Sequence, residues 1–276
     1  TLQGLAQDLS AEFPACGGVE VINAGGNSFG SDRLLLVARE LVDYDLDLLV
    51  VYAGNNEFEE LIHRAVAADT IPQLRRVVRH SALARRTWHL LAMRQLREYQ
   101  GQDGRASLLD YVLMKSGEYG DLPDDIVSRR MQQFEDNLLA ITALCRENGV
   151  AMLLGTIPSN HWDMKWHIGP DEELRALRDS GNYDAFYARI DETLRAGPHF
   201  QATDDENQVI RDVAASHRVP LVDMRAATRN AEDSGVPGQN LFVDGCHLNE
   251  KGKALWRDTF EPAIRQVLVQ RLDCAG

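Results

Sequence analysis

Residues 46–57 read Leu-Asp-Leu-Leu-Val-Val-Tyr-Ala-Gly-Asn-Asn-Glu. The run from Leu48 to Ala53 is apolar throughout and stops abruptly at Gly54-Asn55-Asn56-Glu57. A strand with one wet face alternates apolar and polar residues, so an unbroken apolar run needs cover on both faces. Parallel sheets sandwiched between helices provide that cover. In such sheets ligands gather at the carboxyl ends of the strands. Asn56 stands just past a strand end, where its amide N–H can be aimed at a developing oxyanion. Asn and Gly also suit a plain turn, and taken alone the segment reads more simply as one.

The chain around this strand keeps an α/β rhythm. Residues 1–13 form an amphipathic helix pattern with Leu2, Leu5, Ala6 and Leu9 on one face, stopped by Pro14 and Gly17-Gly18. Residues 19–23 read as a short strand and 24–31 as a glycine-rich turn. Ser31 is placed to cap a helix over 32–41 that carries Leu34, Ala38 and Leu41. Strand, turn, helix and strand make a βαβ unit. A strong helix follows at 125–148, with Val127, Met131, Phe134, Leu138, Ile141 and Cys145 at helical spacing and Gly149 at its end. The next buried strand is 150–156, which puts 159–167 at another carboxyl end. Helical patterns cover 171–197, with a break at Ser180-Gly181, and 205–217; 219–223 is a last strand. Residues 241–247 are loop, and Asn249 caps a final helix that Pro262 breaks or restarts. The predicted fold is three-layer α/β/α, flavodoxin-like, with a short parallel sheet. It forms one domain over 1–276 with a helical insertion at 58–123.

A chain of 276 residues is long enough for a sizeable core. The formal net charge of −13 argues against nucleic acid as a partner, because phosphate binding needs a basic surface. The insertion runs against that balance. Arg75, Arg76, Arg79, Arg85, Arg86, Arg94 and Arg97 lie among its apolar residues. They read either as a solvated basic face or as a lid that meets an anionic substrate or a membrane surface. No stretch is long and apolar enough to span a bilayer. No signal peptide is visible, but the sequence begins at Thr1 and leaves the compartment open. Cys16, Cys145, Cys246 and Cys274 have no paired spacing that suggests zinc.

Asp244-Gly245-Cys246-His247 is D-x-x-H. That spacing lets a carboxylate hold one imidazole nitrogen and leave the other as a base for a hydroxyl. A local turn contact is the simpler reading of the tetrapeptide by itself. Its place just before the terminal helix, in a chain that also has Gly54-Asn55-Asn56-Glu57, raises the catalytic one.

In that order, Asn23-Ala24-Gly25, Gly54–Glu57 and Asp244–His247 resemble the second, third and fifth sequence blocks of the SGNH (GDSL-type) hydrolases. V-I-N-A-G-G-N-S-F, V-V-Y-A-G-N-N-E-F, T-I-P-S-N and L-F-V-D-G-C-H-L-N resemble the bacterial branch with an added helical or tetratricopeptide-like segment. The resemblance runs to about Trp256 and is weakest in 58–123 and 170–202. It implies an esterase or acyl hydrolase without metal or other cofactor. His247 would be the base, Asp244 its orienting acid and Asn56 the side-chain oxyanion donor. The backbone donor would lie among Gly25, Gly26 and Ser28. The implied substrate is a small-molecule ester or an acylated carbohydrate or natural product. The family's nucleophile, a Ser in a G-x-S block after a central first strand, has no counterpart in these residues. Without that strand its two neighbours would be left with unpaired backbone. The expectation is therefore that an upstream segment or a separate chain brings the strand and the Ser, or that the domain is a degenerate binding module.

Gly26-Asn27-Ser28-Phe29-Gly30 offers a rival. It is G-x-S-x-G between a strand and a helix, the nucleophile elbow of α/β-hydrolases, with Ser28 as nucleophile, Asp223 or Asp244 as acid and His247 as base. It leaves Gly54–Glu57 unexplained. His161, Asp163 and His167 match no strong metal spacing. Trp162 and Trp166, with His161, are candidates to contact a sugar or acyl chain, against plain packing of their loop. Cys246 reads as packing, because a bond from it to its neighbour's imidazole looks sterically awkward.

Overall fold

The computed structural model describes residues 2–13, 18–26, 29–58, 124–161, 172–195 and 204–271. The arginine-rich part of the insertion, Ser28, Trp162, Trp166, Asp163, His167, Cys16 and Cys274 lie outside them.

Among the described residues three strands form one parallel sheet in the order β1–β2–β3. They are β1 (Leu48–Tyr52), β2 (Ala151–Gly155) and β3 (Leu221–Val222). Leu48 lies opposite Ala151 and Tyr52 opposite Gly155, and Leu154 pairs with Leu221. The helices are α1 (Leu2–Glu12), α2 (Ser31–Leu41), α3 (Asp124–Glu147), α4 (Glu172–Asp179), α5 (Tyr183–Arg195), α6 (Asp204–His217), α7 (Met224–Asn230) and α8 (Glu250–Arg271).

The apolar strand runs are explained by the two cores they separate. Successive strand side chains point to opposite faces. Val51, Met152 and Leu154 pack with Ala38 of α2, Phe134, Leu138 and Ile141 of α3, and Ile210 and Val213 of α6. Leu153 and Val222 face the other way, against Leu5 and Leu9 of α1 and Phe260, Ile264 and Leu268 of α8. Both faces are covered by helices, the three-layer arrangement expected. Cys145 is buried in the first core, and burial pushes its thiol up to about 11. Gly155 sits where β2 meets α8; a Cβ there would overlap the Phe260 ring.

Four expectations change. Residues 19–23 form no strand; Ile22 is half-exposed, and Val19 bonds to Ser10 Oγ through both its N–H and its C=O. A strand exists only where a neighbour takes its backbone groups, and β1 has its one sheet neighbour on the β2 side among the described residues. Ser31 is not a cap: Gly30 holds the N-cap, and Ser31 is fully buried as the first helical residue. The last strand shrinks to Leu221–Val222, since Asp223 instead caps α7 by accepting from Ala226 N–H. Pro262 neither breaks nor restarts α8, which continues through it with Phe260 and Ile264 both buried. The break at Ser180-Gly181 is present between α4 and α5, with Gly181 at φ +74°, and Asn249 Oδ1 caps α8 by accepting from Gly252 N–H at 3.0 Å.

Candidate active site

The D-x-x-H residues lie on a tight loop before α8. A bridge between Phe242 and Leu248 closes it, with Val243 N–H donating to the His247 carbonyl at 2.9 Å. Inside the loop Asp244 is fixed at both oxygens. Oδ1 accepts the Cys246 N–H at 2.9 Å and the His247 N–H at 2.7 Å; Oδ2 lies 2.8 Å from His247 Nδ1. Partial burial pushes the Asp244 carboxyl up, but the two backbone N–H bonds and the imidazole outweigh it and hold it below the usual carboxylate range. An ionised carboxylate can only accept, so Nδ1 is the nitrogen that donates to it, and in the neutral ring this leaves the lone pair on Nε2. The side chains are partly exposed, 48% for Asp244 and 68% for His247.

The loop after β2 holds this turn in place. Asn160, buried, donates its N–H to the Gly245 carbonyl at 2.9 Å and its Nδ2 to the Asp244 carbonyl at 3.1 Å. Asn207 of α6 pins the same loop from behind, exchanging two bonds with the Ile157 backbone at 2.7 and 2.9 Å. Neither Asn stands out in the sequence, apart from the place of Asn160 in T-I-P-S-N.

At the end of β1, Gly54 takes φ +152°, a value that suits glycine, and starts the turn that presents Asn56. Asn56 Nδ2 donates to the Phe29 carbonyl at 3.2 Å. The structure thus brings the Gly54–Glu57 turn against the glycine-rich one. Within that second turn Asn23 Oδ1 accepts the Gly25 N–H at 3.1 Å. This occupies Gly25 as a donor, whereas the Phe29 ring packs over Gly26. Tyr52, four residues before Asn56, is raised mainly by burial and further by the nearby Cys246. The Asn56 turn directly follows the carboxyl end of β1, and the His247 loop leads into α8, whose Phe260 ring packs edge-on against Tyr52 at the end of that strand.

The structure places three further candidates, Cys246, His161 and Asp223. Cys246 Sγ lies 3.6 Å from His247 Nδ1, so the contact is sterically possible. Asp244, Cys246 and His247 also offer ligand atoms within 4.8 Å of one another, a group that could take a metal ion, although the carboxylate–imidazole bond uses the same atoms. His161 is buried edge-on to Tyr187, 5.3 Å between ring centroids, and burial with the adjacent Arg225 charge lowers it to about 3. Asp223 is not the partner of His247; it binds Thr156 Oγ1, Ala226 N–H and Arg211. A cleft of about 530 Å³ lies by Asp204, Arg211, Asp223, Arg225 and Arg229. Neither Asn56 nor His247 lines it, so the hydrogen-bond geometry marks the candidate site better than the cleft does.

No protein-family model matches the chain, and no curated protein matches it. Solved structures do. An acetyl xylan esterase, AlAXEase, is 15% identical with a TM-score of 0.49, over 95% of this chain and 89% of its own. A GDSL-like lipase from Bacteroides thetaiotaomicron is 14% identical with a TM-score of 0.46, over 96% and 84%. The functional reading rests on the site itself.

Proposed function

We propose that the chain is the body of an SGNH-type serine acyl hydrolase or acyltransferase, acting on a small-molecule ester or an acylated carbohydrate. The observation that carries this reading is the 2.8 Å Asp244–His247 pair with Asp244 Oδ1 pinned by two backbone N–H groups. Such a pair fixes one imidazole tautomer and leaves Nε2 to take a hydroxyl proton.

In the proposed reaction a Ser Oγ attacks the ester carbonyl while Nε2 of His247 takes its proton. The oxyanion accepts from Asn56 Nδ2 and from a backbone N–H of the 26–28 turn. Collapse expels the alcohol, which takes the proton from His247, and leaves an acyl-enzyme. Water or another acceptor, deprotonated by His247, then releases the acyl group. The nucleophile belongs on an added strand, from an upstream segment or a separate chain, lying along the outer edge of β1 and beside 19–23. Two features support that placement: β1 pairs on one side among the described residues, and 19–23 carries the strand-like pattern Val-Glu-Val-Ile-Asn yet forms no strand. No cofactor enters the scheme.

The test is labelling of the full-length native protein with a fluorophosphonate, followed by mapping of the labelled peptide. A label on a Ser outside this sequence, lost in His247→Ala, supports the proposal. A label on Ser28 transfers the role to the elbow. No label and no hydrolysis of p-nitrophenyl acetate would leave a binding domain.

A further inference from the structure

Glu57 follows the candidate oxyanion donor Asn56, and its side chain is fully buried. Its carboxylate accepts from Ser31 N–H at 2.8 Å through Oε1, and from Ser31 Oγ at 2.8 Å and Arg130 Nη2 at 2.5 Å through Oε2. Arg130, also buried, uses Nη1 on Asp32 Oδ2 at 2.7 Å. Asn137, two turns further along α3, donates Nδ2 to Ser31 Oγ at 2.9 Å and to Asp32 Oδ1 at 3.1 Å. The five side chains come from three places far apart in sequence: the start of α2, the turn after β1, and α3.

We infer that Glu57 and Arg130 are positioning residues for the oxyanion site. This rests on the proposed acyl-transfer reading and adds two residues to it. The geometry is a double clamp. Asn56 and Glu57 are adjacent, and they hold Phe29 and Ser31, two residues apart on the glycine-rich segment. Rotation of the 54–57 turn that would carry Asn56 off the oxyanion must also pull the Glu57 carboxylate from Ser31 and Arg130. In a buried site that separation leaves a charge without its partner, which is strongly disfavoured. The core could have been filled at this point by an apolar side chain. A charged, hydrogen-bonded cluster fixes direction as well as volume. The same cluster also ties the start of 58–123, just after Glu57, to α3, which follows its end.

The test uses the full-length protein and p-nitrophenyl acetate, with Asn56→Ala, Glu57→Gln, Arg130→Lys and the double variant Asn56→Ala/Glu57→Gln. Glu57→Gln keeps size and one acceptor, so folding can be checked by thermal melting. The expected result is a kcat loss of about 10- to 100-fold in Glu57→Gln with KM changed less than about threefold. In the Asn56→Ala background the same substitution should cost at least threefold less than it does alone. Arg130→Lys should fall between wild type and Glu57→Gln. An equal fold loss in both backgrounds, or a lowered melting temperature with kcat unchanged, overturns the inference and makes the cluster purely structural. A wild type without esterase activity overturns the acyl-transfer reading instead, and with it the basis of this one.

Discussion

Asn160 Nδ2 donates to the Asp244 carbonyl at 3.1 Å across 84 residues of sequence, while the Asn160 N–H holds Gly245. The strand-end loop of β2 thereby fixes the turn on which the imidazole stands. Asn160→Ala should leave the Asp244 carbonyl without that donor in a partly buried place and cost about 1–3 kcal/mol of stability. Because the turn is aimed by this bond, kcat should also fall, by roughly tenfold. Denaturant unfolding and ester hydrolysis on the same preparation check the two effects. A stability loss with full kcat would confine Asn160 to scaffolding.

The Asp244–His247 pair makes a sharper prediction. Asp244→Asn keeps shape but can present an N–H to the ring, which favours the wrong tautomer. The expected kcat loss is about 10³- to 10⁴-fold with the melting temperature within a few degrees of wild type. Loss of less than tenfold would mean that the carboxylate does not orient the base.

Cys246 Sγ, 3.6 Å from Nδ1, is close to the base without a place in the proposed chemistry. Cys246→Ala should retain activity within about threefold. Iodoacetamide should inactivate wild type, because a carboxamidomethyl group there crowds the imidazole, and should spare Cys246→Ala. Equal inactivation of both proteins would point to another reactive group.

Much of this site could be read from the sequence, and what could not has a physical reason. The β1 and β2 runs, the α3 periodicity and the D-x-x-H spacing are local patterns, and each appears where those patterns place it. Residues 19–23 have a strand-like pattern, with β-branched Val19, Val21 and Ile22, but no paired neighbour among the described residues, so the pattern alone did not make a strand. The seven-residue helix α7 has too little apolar periodicity to announce itself. It is held by the Asp223 cap and by Thr156 Oγ1, which accepts the Arg225 N–H at 3.0 Å. Ser31 looked like a cap because Ser often is one; a carboxylate 26 residues away claimed its hydroxyl. Glu57 with Arg130, and Asn160 with Asp244, are partners across 73 and 84 residues, and no window of sequence contains either pair.

His161 separates acid stability from catalysis. Its buried ring lies beside Arg225 and is lowered to about 3, whereas an unfolded His titrates near ~6.5. Between these values the unfolded chain binds a proton that the folded one refuses. Stability therefore rises with pH through this window and is lost as pH falls below ~6.5, by up to about 1.4 kcal/mol per pH unit. His161→Phe keeps an aromatic ring against Tyr187 and has nothing to protonate. Urea unfolding at pH 7.5, 6.0, 5.0 and 4.5 should show a shallower decline for His161→Phe than for wild type, even if the variant is less stable at pH 7.5. The kcat of the variant at pH 7.5 should stay within about threefold of wild type, since His161 packs on Tyr187 rather than on the Asp244–His247 pair. Parallel stability profiles for the two proteins would show that the acid sensitivity arises from other groups.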